Sequence, residues 1–378
     1  MTTQSNAVAT ERKPNGPLLW VNVLFLCGSP FLAAVLVPWY LIESGSHWVM
    51  WSSAFALWWF AGMGITVGYH RLVAHRSYDG NSFWKFFFLI AGGSAIQNSA
   101  LTWATSHRRH HKEVDTHNDP YDATRGFWWS HIQWILHHDE TVEDFSMVPD
   151  LTSDKLIMWQ HRNYNAIWIT MNVLLPAAIG LMIDRVWGMI LIAGLLRVVL
   201  VHQGTFCINS VCHIIGTQPW STKDTSRDSW ISALFTFGEG YHNYHHTFAA
   251  DYRNGLKWFH FDPGKWAIWA GHKLGLCSNL KRTTEQQRMK KRLQRVAEQY
   301  FAHLERMDEP TQASWRERLE ARLDNAEERL AAWSSRARRA ARDKDEQLQA
   351  ALAEAEEAFR SAWAEFQDLG RSARLAAA

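Results

Sequence analysis

Four long apolar stretches constrain this 378-residue chain more than any other feature. They cover roughly 17–41, 48–69, 164–183 and 187–209, and each is close to the ~20 residues an α-helix needs to cross a bilayer. Residues 43–47 separate the first two and 184–187 the last two. Each pair therefore reads as a tight helical hairpin with its short turn on one side of a membrane. Nearly all Lys and Arg fall on the opposite side, so the positive-inside rule puts both termini and segment 70–162 in the cytoplasm. A polar lead, 1–16, precedes the first run, which continues well past the apolar core of a cleavable signal and is expected to be retained. A fifth apolar run, Phe83 to Ile96, is too short to span and contains Lys85, Gly92 and Gly93. It is expected to lie as an interfacial or partly buried helix against the bundle.

Composition agrees with a membrane setting. The 22 Trp and 19 Phe exceed soluble norms, and such aromatics gather at bilayer interfaces. A formal charge of +2 points neither to nucleic acid nor to an acidic substrate. Cys27, Cys207, Cys212 and Cys277 are scattered, with no CxxC, which excludes a disulfide framework, a zinc ribbon or an iron–sulfur signature. Beyond about residue 282 the chain turns to Arg, Lys, Glu, Gln and Ala, interrupted by Pro310. Trp315, Leu319, Leu323, Ala326, Leu330 and Trp333 recur at helical spacing, and Leu348, Leu352, Ala355, Phe359 and Phe366 continue a similar stripe. The segment 283–378 is thus expected to be a soluble amphipathic helix or helical hairpin, able to self-associate, and an appendage rather than an independent function. Its mixed charge argues against nucleic acid.

The histidines carry the chemistry. They cluster as His70-Arg71-Leu72-Val73-Ala74-His75 after the second apolar run, His107-Arg108-Arg109-His110-His111, Asn209-Ser210-Val211-Cys212-His213 after the fourth, and His242-Asn243-Tyr244-His245-His246. On a helix, residues at i, i+3 and i+4 share a face, so each HxxHH presents three imidazoles from one turn. Asn209 and His213 are also four apart. His70 and His75, five apart, converge best where the helix end is distorted between them. Nine imidazoles and one amide are enough for two metals in one pocket. Imidazole suits Fe, Zn, Cu and Ni. No carboxylate lies inside the motifs, which excludes a Glu-bridged bundle centre, and a closed structural zinc site needs only four ligands. A redox-active pair with open positions is the economical reading. One His near a membrane is more often an interfacial or core residue than a ligand; two HxxHH triplets, an HxxxxH and an NxxxH on one side of the membrane are not explained that way. His47, His117, His131, His137, His138, His161, His202, His260, His272 and His303 take the ordinary reading, with His117 expected to be structural or to orient a ligand.

HRLVAH, HRRHH and HNYHH resemble the three histidine boxes of membrane fatty acyl desaturases, and the flanking text resembles the stearoyl-CoA (delta-9) branch. Residues 64–72 lead the first box, with Arg76-Ser77-Tyr78 after its second histidine; Thr116-His117-Asn118-Asp119-Pro120 and Arg125-Gly126-Phe127 follow the second. Asn209-Ser210 precedes His213, and Gly238-Glu239-Gly240-Tyr241 leads into the third box. The resemblance covers about 17–282. It implies an all-α integral membrane fold, with four transmembrane helices under a cytosolic helical cap (70–162 and 210–282) that holds a di-metal site. It also implies a non-haem di-iron centre, with O2 as co-substrate, ligated by His70, His75, His107, His110, His111, His213, His242, His245 and His246, with Asn209 acting through a water. Gln97, Trp103 and Thr205 match residues that bend the acyl tunnel, and Asn98 one that contacts the thioester arm. Trp58 and Gly62 match positions that set chain length.

The implied reaction introduces a cis double bond, at delta-9, into a long-chain acyl-CoA. The chain departs from the family where Thr105-Ser106 and His138-Asp139 replace an Arg-Asp and an Arg-Lys pair. Arginine and lysine are natural partners of CoA phosphates, so Lys112, Arg108, Arg109 or Lys257 would have to substitute, or the acyl chain would arrive on a phospholipid or carrier protein. No haem-binding module or flavin fingerprint is found, so an external donor is expected: a ferredoxin, or a haem-b cytochrome with its reductase. The expected setting is a bacterial inner membrane with the site cytoplasmic. Rival readings are a fatty acyl hydroxylase and a histidine-rich metal transporter or sensor, although transporters place ligands within their spans.

Overall fold

The computed structural model describes residues 16–139, 141, 143–342 and 346–376, so the polar lead lies almost wholly outside them. The chain forms two compact units, one reaching to Arg282 and one from Thr283 onward, which also takes in Pro219–Thr222.

In the first unit, α1 (Trp20–Ser44) starts three residues later than the apolar run, because Pro17 precedes it and Leu19 is extended. Its Val21, Leu24 and Phe31 face outward, while Leu26, Ala33, Val37 and Tyr40 are buried. The helix α2 (Trp48–Met63) is capped by the His47 ring, which accepts from Val49 N. It runs without a break into a π-helix over Gly64–Ala74. Among the described residues, three helices are long and apolar enough to cross a membrane: α1, α6 (Tyr164–Met182) and α7 (Val186–Ile214). The expected second span, 48–69, straddles the change of helix type, and the regular part of α2 has only 16 residues. The turn widens where small residues admit α3 (Ser82–Gly93): Gly64 lies on the backbone of Ala91–Gly92, Gly68 on Phe88, and Gly92 under the Tyr69 ring.

The helix α3 keeps Phe83, Phe86 and Phe87 exposed and buries Leu89, Ala91 and Gly92. Buried Arg197 ties the helices together by donating to Ala193 O (3.1 Å), Ser94 O (3.0 Å) and Asn172 Oδ1 (2.6 Å). Three such bonds satisfy a charge that would otherwise be costly among apolar spans. The cap adds α4 (Ala100–Glu113), started by Ser99, and α5 (Lys155–Arg162), started by Asp154. Lys85 of α3 reaches Asp154 at 2.5 Å. The cap's later part contributes α8 (Trp230–Phe235), α9 (His242–Thr247) and α10 (Pro263–Lys273). The all-α expectation needs one small amendment: β1 (Asp79–Gly80) pairs antiparallel with β2 (Cys277–Ser278).

The second unit is a bundle of α11 (Glu285–Leu304), α12 (Glu309–Ala340) and α13 (Glu346–Ala376). Pro310 sits in the first turn of α12 behind the Asp308 cap, where its missing N–H costs nothing. The apolar stripes meet in one core: Leu319, Leu330 and Trp333 pack with Phe359, Phe366 and the α11 residues Leu293 and Tyr300. A third helix, α11, thus joins the expected hairpin.

Candidate metal centre

Three structural devices deliver the histidines. The first is the π-helix, whose i→i+5 bonding stacks residues five apart; His75 N donates to His70 O at 3.0 Å, and the two rings lie 4.7 Å apart. The second is the pair of short helices α4 and α9. The third is a break at Ser210 in α7, which restarts as one turn over Val211–Ile214 and turns His213 inward. Asn209 and His213 are therefore not successive positions on one continuous helix. Asn209 ends the longer piece and lines the same cavity as His70, His107, His110 and His242.

The nine imidazoles divide into two groups, each with ligand atoms within 4.8 Å of one another: His70, His75, His107, His111 and His245, then His110, His213, His242 and His246. Each HxxHH triplet is therefore split instead of pointing to one place. At 3.6 residues per turn, positions i and i+4 differ by about 40° whereas i+3 falls about 60° to the other side. So α4 gives its i, i+4 pair, His107 and His111, to the first group and His110 to the second. In α9 the pair His242 and His246 goes to the second group and His245 to the first.

Close approaches join Nε2 to Nε2: His75–His107 2.8 Å, His245–His111 2.9 Å, His70–His245 3.0 Å, His213–His242 3.1 Å, His242–His246 3.1 Å and His110–His246 3.3 Å. The opposite ring nitrogens show which tautomers these are. His110 Nδ1 is 2.8 Å from Asp119 Oδ1, and His70 Nδ1 is 3.1 Å from Glu239 Oε2. His213 Nδ1 is 2.8 Å from Thr225 Oγ1, which itself donates to Asp115 Oδ1 and so can only accept from the ring. With the proton on Nδ1, the Nε2 atoms of His70, His110 and His213 carry lone pairs. A neutral ring has one proton to share, so groups of five and four ring nitrogens within 4.8 Å of one another offer more acceptors than pairwise hydrogen bonds can use, and the donor set fits two metal ions.

Electrostatics agree. Burial, reinforced by neighbouring imidazoles, holds His75, His107, His111, His242, His245 and His246 well below the usual histidine value. These rings are neutral at pH 7, the state a metal requires. Burial would raise Glu239, but His70 and Arg71 outweigh it and hold the carboxylate at about 2. Thr66 donates to Glu239, Asn254 Nδ2 reaches it at 2.6 Å, and Arg71 spans to Asp262 at 2.8 Å. Burial likewise opposes ionisation of Asp119, and the His110 contact holds it low. Glu239, Asp119, Asp115 and Thr225 were not singled out as functional from the sequence; only the flanking text GEGY and THNDP pointed near two of them. Exposed His117 sits at the cavity rim, and the orienting role expected of it falls to Asp119.

A cavity of about 870 Å³ passes the centre. Gln97, Asn98, Trp103 and Thr205 line it. Gln97 Nε2 donates to Thr205 Oγ1 at 2.8 Å, and the Trp103 ring stacks on His107 at 4.8 Å. Trp58 and Gly62 line a smaller adjoining void. Among the cations expected to meet a head group, Arg108 is engaged by Asp150 and the Val73 and Ala74 carbonyls, and Arg109 by Thr141. Lys112 lines the cavity with an exposed side chain, and Lys257 does not line it.

The fatty acid desaturase family model matches residues 46–274, well over half the chain. The chain belongs to the fatty acid desaturase family. The matched range holds all nine of this desaturase-family chain's clustered histidines and ends before Thr283, where the helical part of the second unit begins. It is 40% identical over 275 residues to acyl-CoA desaturase 1 of Saccharomyces cerevisiae, covering 71% of this chain and 52% of that protein. It is 33% identical over 282 residues to the sn-1 stearoyl-lipid 9-desaturase of Anabaena variabilis, covering 74% and 99%. The desaturase-family chain thus spans about half the length of its yeast relative and nearly all of the cyanobacterial one.

Proposed function

We propose that the protein is an oxygen-dependent di-iron fatty acyl desaturase that introduces a cis double bond, at delta-9, into a saturated long-chain acyl-CoA. The observation that carries this is two sets of converging imidazole nitrogens beside one large cavity, which His70, His107, His110 and His242 line. His70, His75, His107, His111 and His245 would hold one iron. His110, His213, His242 and His246 would hold the other, with Asn209 contributing through a water. With dioxygen and two electrons from an external donor, such a centre supplies the oxidising power to take two hydrogens from adjacent methylenes.

The residues of the chain do the rest. An unactivated methylene offers no acid or base handle, so position decides which bond reacts. The hydrogen-bonded pair Gln97–Thr205 and the Trp103 ring line the cavity, Trp103 against His107, and an acyl chain bent around them would present one carbon pair to the centre. Asn98, which also lines the cavity, is assigned to the thioester arm, and Lys112 to a phosphate of the head group. Glu239, Asp119 and Thr225 keep the ligand rings in the Nδ1–H tautomer.

The cap's charges support a cytoplasmic active site, reached there by a ferredoxin or a haem-b cytochrome with its reductase. Four spans follow if α2 and its π-helical extension cross the membrane together. Expression in a host lacking its own desaturase, followed by lipid mass spectrometry, tests the assignment: a monounsaturated acyl chain supports it, and a hydroxylated product or unchanged lipid sinks it. Offering acyl-CoA against phospholipid in vitro decides the carrier. The acyl-lipid alternative draws on the departure at His138-Asp139, since both residues line the cavity mouth where added cations would have favoured CoA.

A further inference from the structure

The large cavity does not end at the metal centre. Ile65, Thr66, Thr205 and Ile208 line both it and the void behind, so the two are successive parts of one path. The rear void measures about 20 Å³, room for about one water and no further methylenes. Phe237 fills the rest. Its ring lies 4.6 Å from that of Trp58 and 5.4 Å from that of Trp59, and a Cβ on Gly62 would overlap it.

Phe237 belongs to no helix. It lies in the turn between α8 and α9 with φ +54°, a left-handed conformation in which a bulky side chain is a rare outlier. Such strain persists where the surroundings over-determine it, and it concentrates at functional sites. Here Gly238, also at positive φ, packs against Asp262, and its N–H is tied to Ala233 O at 2.9 Å. Two residues after Phe237 stands Glu239, which orients His70. One rigid turn therefore carries both a support of the metal centre and the ring that closes the path, which fixes the distance between them.

We infer that Phe237 is a specificity-determining residue: its ring forms the half of the tunnel's blind end opposite Trp58 and sets the longest acyl tail that fits. Gly62 is compatible with this closure because it leaves room for the ring. The inference rests on the acyl-substrate reading above. Opening a pocket by whole methylenes changes selectivity between neighbouring chain lengths on the order of tenfold or more.

The test uses purified full-length protein and its Phe237→Ala and Phe237→Leu variants. Thermal stabilisation by myristate, palmitate, stearate, arachidate and behenate reads binding without requiring turnover. The wild type is expected to show an optimum and a fall at the next longer acid, and Phe237→Ala to move that fall to longer acids. Phe237→Leu should show a smaller move and decides the matter if the alanine variant does not fold. A wild type with no length dependence, or folded variants with the wild-type profile, overturns the inference. Product lengths in a desaturase-free host are scored in parallel: no unsaturated product with a shifted binding profile would sink the desaturase assignment and leave the chain-length role standing.

Discussion

His110 Nδ1 lies 2.8 Å from Asp119 Oδ1, with both side chains buried. Asp119 also accepts from Asp115 N and Tyr121 N at 2.9 Å each, so the carboxylate is fixed before it meets the ring. It fixes in turn which His110 nitrogen faces the second group. Asp119→Asn keeps the size but lets the amide present a donor or an acceptor. Metal affinity is expected to fall about 10–100-fold, with the effect confined to the second group. Metal titration of stripped protein checks this, and unchanged affinity would remove Asp119 from the orienting role.

The division into five and four donors makes the groups unequal under substitution. His75→Ala leaves four imidazoles in the first group, whereas His213→Ala leaves three in the second. Metal analysis of purified protein is expected to show loss of one of the two ions in His213→Ala and a smaller loss in His75→Ala. Desaturation should fail in both, because the proposed chemistry needs the pair. Equal loss of both ions from either variant would contradict two separable groups.

Arg71 is buried between Glu239 and Asp262, at 3.3 and 2.8 Å. Substituting Arg71→Met retains much of the stem and leaves two buried carboxylates without the cation that pairs them. Breaking a buried pair from one side costs about 3–5 kcal/mol, so a large drop in thermal midpoint is expected. A second change, Asp262→Asn, should recover part of it by removing one stranded charge. Failure of the pair to recover would mean that Arg71 acts through packing.

Much of this was legible in the sequence, because the strongest signals are local. A hydrophobic run declares a span, and HxxHH declares one helical face. Even the split of each triplet follows from the angular step, once one asks which side of the i, i+4 line the i+3 residue takes. The π-helix was legible only as a need, the five-residue gap between His70 and His75. What stayed hidden depends on distant partners. Glu239 and His70 are separated by most of the desaturase unit, and Thr225 reaches His213 only because Asp115 holds it from another segment. Phe237 has no periodicity to announce it, since its role comes from a backbone inversion. Helix α11 was missed because its charged residues crowd a sparse apolar stripe of Leu293, Ala297, Tyr300 and Leu304.

Acid should destabilise the metal-stripped protein by a route set by the same rings. His75, His107, His111, His242, His245 and His246 are held below 6.5 in the folded chain by burial and then by neighbouring imidazoles. Well above pH 6.5 they are neutral in both states and contribute no pH dependence. As pH falls below 6.5 the unfolded chain takes up protons that the folded one resists, so the unfolded state binds more protons and stability falls. Each proton of difference is worth about 1.4 kcal/mol per pH unit, and several rings act together, so the decline should be steep. Thermal midpoints of stripped protein between neutral pH and about pH 5 check this, with metal-loaded protein in parallel. The loaded form is expected to hold its midpoint further into acid, because the metal must be displaced before the rings can protonate. A stripped protein whose midpoint is flat across that window would mean that the rings are not buried together as described.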